Sequence, residues 1–255
     1  MTNRNIVTLS KKTYDIIVVG GGIFGVFSAW DAAMRGLSVA IIDKADFSGS
    51  TSANHYKMVH GGIRYLQHLD LKRVRESCRE RSALLRTAPH QVSPLPIVVP
   101  TYGYGKKGKV PLAMGFTLYN ALTFDRNSGI EDKNRQIPSG TFLSSSETLK
   151  IFPGLHKKNL TGGAVFHDGQ YYNPPRLALQ VIRSAMASGA DAANYVQATG
   201  FLQKGDKIRG VTATDVLTGK SIEIHCTTVS ITAGTLIHRL FERSHGIKRH
   251  HTPTS

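Results

Sequence analysis

One segment near the start of the chain restricts the fold more than any other. The apolar run from Tyr14 to Val19 is typical of a buried parallel strand, and GGGIFG follows it directly. This places Gly20, Gly22 and Gly25 at the glycine positions of a G-x-G-x-x-G motif. The pattern therefore predicts a strand, a tight glycine turn and a helix whose N-terminus faces an anion.

The residues after the glycines complete the same unit. The segment from Ile23 to Arg35 predicts a helix rich in small residues, which Gly36 would stop. A second strand, Ser38 to Ile42, ends at Asp43, close to the spacing of about 20 residues at which a carboxylate commonly holds a ribose hydroxyl. These elements predict a dinucleotide site. NAD and FAD both use such a site, and only the N-terminal placement and the polar segment after the second strand favour FAD.

Composition limits the class of partner. The net charge of +15 indicates either a phosphate-bearing partner or a solvated basic surface. We expect no nucleic acid, because basic residues are not interleaved with aromatics and no binding module is visible. A helix from Asp70 to Arg86 carries many of the charges on a face that we expect to be solvated and paired within the helix. The residues of this face are Lys72, Arg73, Arg75, Arg79 and Arg81, with Glu76 and Glu80.

Location in the cell is predicted from what the sequence lacks. Cys78 and Cys226 have neither metal-ligand nor disulfide spacing, so we expect a reducing compartment and no metal. The N-terminal MTNRNIVTLSKK does not read as a signal peptide, and no run is suited to span a bilayer. We therefore expect a cytoplasmic protein.

An apolar segment, Pro111 to Phe124, leaves two alternatives open. We favour a buried helix of a substrate-covering cap. The other interpretation is an interfacial helix with Lys106, Lys107 and Lys109 at lipid headgroups, which would place the protein peripherally on the inner face of the cytoplasmic membrane.

A second motif indicates a family. Phe47 to Gln67 reads FSGSTSANHYKMVHGGIRYLQ and, with the glycine unit, resembles the FAD-dependent glycerol-3-phosphate dehydrogenases, flavin oxidoreductases of the D-amino-acid oxidase type. HGGIRYL, His60 to Leu66, is the most specific part. Weaker matches follow at Val74 to His90, Asp168 to Leu179 and Val229 to Gly234.

The resemblance implies an α/β fold with a Rossmann-like FAD-binding parallel sheet, a β-meander and an inserted, partial substrate (cap) domain. We expect residues 1–95 and 164–255 to form the FAD-binding domain, without its C-terminal part, and residues 96–163 to form the partial cap. Since family members run well beyond this length, we expect an N-terminal portion with weak FAD retention, completed by a missing C-terminal half or a second chain.

Several later elements are predicted from local pattern. A strand is expected from Pro94 to Pro100 and a helix from Pro174 to Ser188. Lys207 to Asp215 and Ser221 to His225 predict a hairpin, after which Thr228 to Thr232 would rejoin the parallel sheet.

The resemblance also implies an activity and its residues. The reaction is oxidation of sn-glycerol 3-phosphate to dihydroxyacetone phosphate, with electrons passing through FAD to quinone. Arg64 and Tyr65 match the positions of the substrate site, and His60 takes a base or electrostatic role. The implied cofactor-binding residues are Gly20, Gly22, Gly25, Asp43, Thr51, Ser52, Lys57, Gly61, Gly62 and Gly234.

Two alternatives to this activity stay open, and so do other roles for the site residues. The chain is either a glycerol-3-phosphate dehydrogenase, another flavin-dependent amino- or hydroxy-acid oxidoreductase, or a non-catalytic FAD-binding fragment. Arg64 is alternatively a structural ion-pair partner, and Tyr65 alternatively a core residue. His55 and Tyr56 stand where the family has small residues, and their bulk would alter the cofactor pose or its reactivity.

Overall fold

The protein divides into two compact units. The structure, a computed structural model, describes residues 4–103 and 109–234. The discontinuous unit comprises Met1–His55 with Pro174–Ser255, and the inserted unit comprises Tyr56–Asn173. These bounds differ from the predicted division at 95/96 and 163/164. The predicted bounds cut through two strands, Val92–Tyr102 and Leu160–Tyr171, that pair along their whole length and so belong to one unit.

The discontinuous unit is built around a six-stranded sheet. The elements in chain order are α1 Ile6–Lys11, β1 Thr13–Val19, α2 Ile23–Met34, β2 Val39–Ile42, α6 Pro174–Ala187, β7 Asp191–Ala193, β8 Val196–Lys204, β9 Lys207–Asp215 and β10 Ser221–Ile231. The strand order in the sheet is β7-β2-β1-β10-β9-β8. The first four strands of this order pair in parallel, and β9 and β8 extend the sheet by antiparallel pairing. The predicted α/β fold with a parallel sheet and a β-meander is confirmed.

Successive residues of β1 are buried on opposite faces of this sheet. Val18 packs with Ile41 in a cluster that includes residues of α2 and α6. Ile17 packs with Ile42 in a second cluster that includes Leu9 of α1 and residues of the meander. Both faces are covered, which is why β1 and β2 read as continuous apolar runs rather than alternating ones.

Strand β10 serves two parts of the sheet. Its first residues, from Ser221 to His225, pair antiparallel with β9. Its later residues, from His225 to Ile231, pair in parallel with β1. The predicted hairpin and the predicted return to the parallel sheet are both confirmed, because β10 takes part in both.

The inserted unit contains a four-stranded antiparallel sheet. Its elements are β3 Met58–Val59, a 3-10 helix Ile63–His68, α3 Leu71–Thr87, β4 Val92–Tyr102, α4 Lys109–Leu122, a 3-10 helix Lys133–Arg135, β5 Thr141–Leu143, α5 Ser145–Ile151 and β6 Leu160–Tyr171. The strand order in the sheet is β3-β6-β4, and β5 also pairs with β6. Its core is formed by Val59, Leu85, Val92, Ile130 and Ile137.

Helix α3 corrects one prediction from sequence. Asp70 caps it, its side chain accepting from the backbone N–H of Arg73. Arg81, however, is fully buried rather than part of a solvated face. Arg75 pairs with Asp125 outside the helix rather than within it. The assignment to a solvated face paired within the helix was wrong for these two arginines, because Arg81 lies seven residues after the buried Val74 and Arg75 lies within reach of Asp125.

Helix α4 has one buried and one exposed side. Phe116 and Tyr119 are buried, whereas Met114 and Leu118 are exposed, as is Phe124 just beyond the helix. No helix among the described residues is long and apolar enough to cross a membrane. Of the lysines predicted to meet headgroups, Lys106 and Lys107 lie outside the described residues, as does the side chain of Lys109.

Candidate cofactor and substrate sites

The glycine turn after β1 leaves no room for side chains at two positions. Gly20 has a φ of +113°, and a Cβ there would lie 2.8 Å from the carbonyl carbon of Thr232. A Cβ at Gly25 would lie 1.8 Å from the carbonyl oxygen of Gly20. The Thr232 hydroxyl donates to that same oxygen at 2.7 Å and so holds the turn against the end of β10. Glycine is therefore required at both positions by turn geometry and packing.

Gly22 is different because a side chain there would crowd only one atom, the hydroxyl oxygen of a neighbouring serine. The nearest atom to a Cβ at Gly22 is the hydroxyl oxygen of Ser52, 3.2 Å away. Gly22 begins α2 without a side-chain cap, and the first turn of α2 has no acidic residue. The Ser52 oxygen accepts the Ile23 N–H at 2.9 Å. A helix N-terminus without an acidic residue and with a hydroxyl beside it suits an anion such as pyrophosphate.

Asp43 is held beside the same turn. Its carboxylate accepts the N–H of Gly21 at 2.6 Å and the N–H of Ala45 at 2.9 Å. These two bonds fix the side chain at the end of β2, and contact with a ribose hydroxyl stays a prediction. Thr51 is exposed in the following turn, and Gly234 is exposed with a φ of +57°.

In the inserted unit, Gly61 and Gly62 are required by packing within that unit. A Cβ at Gly61 would lie 2.0 Å from Nη1 of Arg81. At Gly62, whose φ is +81°, it would lie 2.9 Å from Cβ of Ser77. The Gly61 N–H donates to Asp168 at 2.5 Å, and its carbonyl accepts the Tyr119 hydroxyl at 2.9 Å. That these glycines lie beneath a flavin ring stays a prediction, since packing already accounts for them.

A buried ion pair supports this glycine turn. Arg81 of α3 is fully buried and donates to Asp168 of β6 at 2.7 Å. Burial opposes the charge of Arg81, but its interactions with Tyr119 and Asp168 outweigh burial, and the pKa of Arg81 is raised. Burial raises the pKa of Tyr119 to about 12. Arg81 was missed from sequence although it lies seven residues after Val74, on the same helical face.

His60 lies between β3 and the 3-10 helix Ile63–His68, at the edge of this network. Its side chain is 67% exposed, and its Nδ1 lies 3.3 Å from Oδ2 of Asp168. One ring nitrogen is thus bonded to a buried carboxylate while most of the ring faces outward. This arrangement is compatible with proton exchange at Nε2.

The predicted phosphate-binding pair follows on the 3-10 helix. Arg64 is exposed, and among the described residues no hydrogen bond or ion pair holds its guanidinium. Tyr65 is half-buried, and the guanidinium of Arg73 lies over its ring at 5.1 Å. The alternative role of Arg64 as a structural ion-pair partner has no support in this part of the chain. An unengaged guanidinium is suited to bind phosphate.

The residues before this motif lie largely at the surface. Lys57 is exposed with a φ of +58°, and its carbonyl accepts the Tyr171 N–H at 2.7 Å. Tyr56 is 92% exposed, and His55 is also exposed. The bulk of His55 and Tyr56 is therefore accommodated without core packing.

Comparison with known proteins identifies the family. The sequence model described as FAD dependent oxidoreductase matches residues 15–254. The chain belongs to this family. It is 39% identical to the glycerol-3-phosphate dehydrogenase of Synechocystis sp. over 224 residues, which is 87% of this chain and 39% of that protein. It is 32% identical to the aerobic glycerol-3-phosphate dehydrogenase of Bacillus subtilis over 243 residues, 95% of this chain and 42% of that protein.

A solved structure shows the same fold. The glycerol-3-phosphate dehydrogenase from Bacillus halodurans, complexed with FAD, superposes with a TM-score of 0.68 at 27% identity. The superposition covers 93% of this chain and 38% of that one. This FAD dependent oxidoreductase chain thus spans about two fifths of the length of the relatives it matches.

FAD fits the residues present in the discontinuous unit. A FAD dependent oxidoreductase must hold a pyrophosphate close to the backbone, and the side-chain-free Gly22 at the start of α2, which has no acidic residue in its first turn, meets this need. Asp43 and Ser52 stand on either side of that turn with fixed hydrogen bonds. These four features would hold the dinucleotide part of FAD.

Proposed function

We propose that this chain contributes the FAD-binding and phosphate-binding parts of an enzyme that oxidises sn-glycerol 3-phosphate to dihydroxyacetone phosphate. Two kinds of observation support this. The glycerol-3-phosphate dehydrogenases of Synechocystis and Bacillus subtilis are similar over most of this chain. The structure adds a dinucleotide cradle and an unengaged arginine that follows the HGG turn.

The reaction assigns separate tasks to the residues. When bound, FAD accepts the hydride that leaves C2 of the substrate. Arg64 binds the phosphate dianion through its planar fork of donors, and the Tyr65 hydroxyl adds one more donor. His60, whose ring is mostly exposed, accepts the proton of the C2 hydroxyl.

The single observation that carries the proposal is that the guanidinium of Arg64 is not engaged by other described residues. Buried or surface arginines of this chain are commonly engaged, as Arg75 is with Asp125 and Arg81 is with Asp168. The Arg64 guanidinium has no hydrogen bond or ion pair within residues 4–103 and 109–234. It is therefore available to bind an anionic ligand without first breaking an internal bond.

We further propose that a quinone accepts the electrons at the inner face of the cytoplasmic membrane. The exposed apolar side chains of Met114, Leu118 and Phe124 support peripheral contact with lipid. Binding of the purified chain to anionic vesicles, lost on replacing Leu118 and Phe124 by serine, tests this. Equal binding of wild type and variant would contradict it.

FAD binding is tested on the chain itself. Titration with FAD, followed by flavin fluorescence, should show saturable binding. Gly22→Ala should weaken it at least tenfold without loss of fold, because its Cβ would lie 3.2 Å from the Ser52 hydroxyl and would keep pyrophosphate away from the backbone at the start of α2. Gly115→Ala is the matched control, since no atom lies within 4 Å of its Cβ. Equal affinity of the two variants would contradict the assignment of the cradle.

Turnover is tested in a chimera in which this chain replaces the matching 39% of the Synechocystis relative. The chimera should reduce a dye with glycerol 3-phosphate. Arg64→Met should raise KM for glycerol 3-phosphate about 10²-fold, as expected for loss of a charge-assisted bond of about 3 kcal/mol. Dye reduction with glycine, proline or lactate instead would favour the amino- or hydroxy-acid alternative.

A further inference from the structure

The buried carboxylate of Asp168 has no part in the proposed reaction, yet it contacts His60, which accepts the proton in that reaction. Asp168 lies on β6, and its side chain is 4% exposed. Its Oδ1 accepts from Nη1 of Arg81 and from the N–H of Gly61. Its Oδ2 lies 3.3 Å from Nδ1 of His60. Three hydrogen bonds thus meet on one carboxylate, two from the adjacent residues His60 and Gly61 and one from Arg81 of α3.

The ion pair decides which group donates in the contact with His60. Arg81 is fully buried and bonded to Asp168, so the pair consists of a guanidinium and a carboxylate. A carboxylate has no proton to donate and only accepts. The hydrogen in the 3.3 Å contact must therefore come from Nδ1 of His60. Neutral His60 then carries its proton on Nδ1 and a lone pair on Nε2.

The backbone on either side of the ring is fixed by the same network. The residue after His60, Gly61, donates its N–H to Asp168 and accepts the Tyr119 hydroxyl at its carbonyl. Arg81 packs so closely against Gly61 that a Cβ there would overlap its guanidinium. The ring of His60 is therefore held at its Nδ1 side and at its backbone, while 67% of the side chain stays exposed.

We propose that Asp168 is a positioning residue that fixes the tautomer and orientation of His60, so that Nε2 is the atom that takes up a proton. The proposal rests on the proposed function, in which His60 accepts the proton of the substrate hydroxyl. The O–H bond of the C2 hydroxyl breaks and an Nε2–H bond forms, while bound FAD would accept the hydride from C2. The imidazolium that results keeps its Nδ1–H bond to Asp168, whose negative charge stabilises it.

The tautomer is measured directly in the chain as it stands. Long-range ¹H–¹⁵N correlation spectra of histidine-labelled protein distinguish a protonated from an unprotonated ring nitrogen, and His60→Gln assigns the His60 signals. The neutral ring of wild-type His60 should show a protonated Nδ1 and an unprotonated Nε2. An Nε2–H tautomer in the wild type would overturn the proposal, and this measurement needs no folded variant.

Asp168→Asn provides the second measurement. The Asn side chain still offers its oxygen to the Gly61 N–H and would present its NH₂ to Nδ1 of His60, which must then accept. The tautomer should reverse to Nε2–H, whereas the signals of His225 in the discontinuous unit should not change. An unchanged His60 tautomer in a folded Asp168→Asn protein would also overturn the proposal.

Turnover in the chimera separates this proposal from the proposed function. Asp168→Asn should lower kcat by about 10²-fold or more, the usual contribution of a general base, with little change in KM for glycerol 3-phosphate. A reversed tautomer with wild-type kcat would refute the positioning role. A wild-type chimera that does not oxidise glycerol 3-phosphate but shows the expected tautomers would refute the proposed function alone.

Discussion

Removal of the buried arginine of α3 should destabilise the inserted unit strongly. Arg81 is fully buried and Asp168 is 4% exposed, so neither charge has access to water when its partner is lost. Arg81→Met keeps the aliphatic stem but leaves the Asp168 carboxylate with only the Gly61 N–H and His60. Removing one member of a buried ion pair typically costs about 3–5 kcal/mol of unfolding free energy. We expect a value of about 4 kcal/mol for this substitution.

The assay is urea unfolding followed by far-ultraviolet circular dichroism. Arg79→Met is the matched control, because Arg79 lies on the same helix but is exposed, and it should change stability by no more than about 0.5 kcal/mol. The double variant Arg81→Met with Asp168→Asn should lose less than the sum of the single losses, by roughly 1–3 kcal/mol. A loss below about 1 kcal/mol for Arg81→Met, or strict additivity, would show that the pair is not the buried, coupled unit described above.

Three further outcomes are expected. Gly25→Ala should destabilise the protein by about 3 kcal/mol or more, since its Cβ would lie 1.8 Å from a carbonyl oxygen. Gly115→Ala, whose Cβ would lie in open space, should be neutral or stabilising, and urea unfolding compares the two variants. Tyr119→Phe should cost about 1–3 kcal/mol in thermal unfolding by leaving a buried carbonyl unpaired, and an unchanged Tm would contradict this. Hydrogen bonds from Arg75 lower the pKa of Asp125. Since an unfolded Asp titrates near about 3.9, the stabilising effect is complete above that pH and is lost as pH falls through the lower folded pKa. Asp125→Asn should therefore flatten the loss of Tm on acidification below about pH 5, and parallel curves would count against it.

The discontinuous unit was predictable because its elements are encoded locally. Continuous apolar runs predicted β1 and β2, and the glycines between β1 and α2 predicted the turn. Only the order of the strands in the sheet could not be predicted from local sequence pattern alone. The pairing of β10 with β9 at one end and β1 at the other followed from a hairpin signal plus the parallel sheet implied by the first motif.

The inserted unit was predicted less well, because its important contacts join distant segments. Asp168 and Gly61 are 107 positions apart and meet through a single carboxylate. Nothing local in the sequence reports such a contact. Arg81 was assigned to the solvated face from its charge, although its seven-residue spacing from Val74 placed it on the buried one. The residues that determine how His60 is held were therefore missed, while His60 itself was found from its motif.

The place of β10 in the sheet has a consequence for how the chain folds during synthesis. Thr232 and Gly20 are 212 positions apart, and the whole inserted unit is made between them. Until the ribosome has released β10, one edge of β1 has no partner and the glycine turn is not held by Thr232. Contacts of such long sequence separation form slowly, and unpaired apolar edges favour aggregation. The inserted unit, whose strands and helices are contiguous, is free to fold first, and the nucleotide cradle is completed only when β10 arrives.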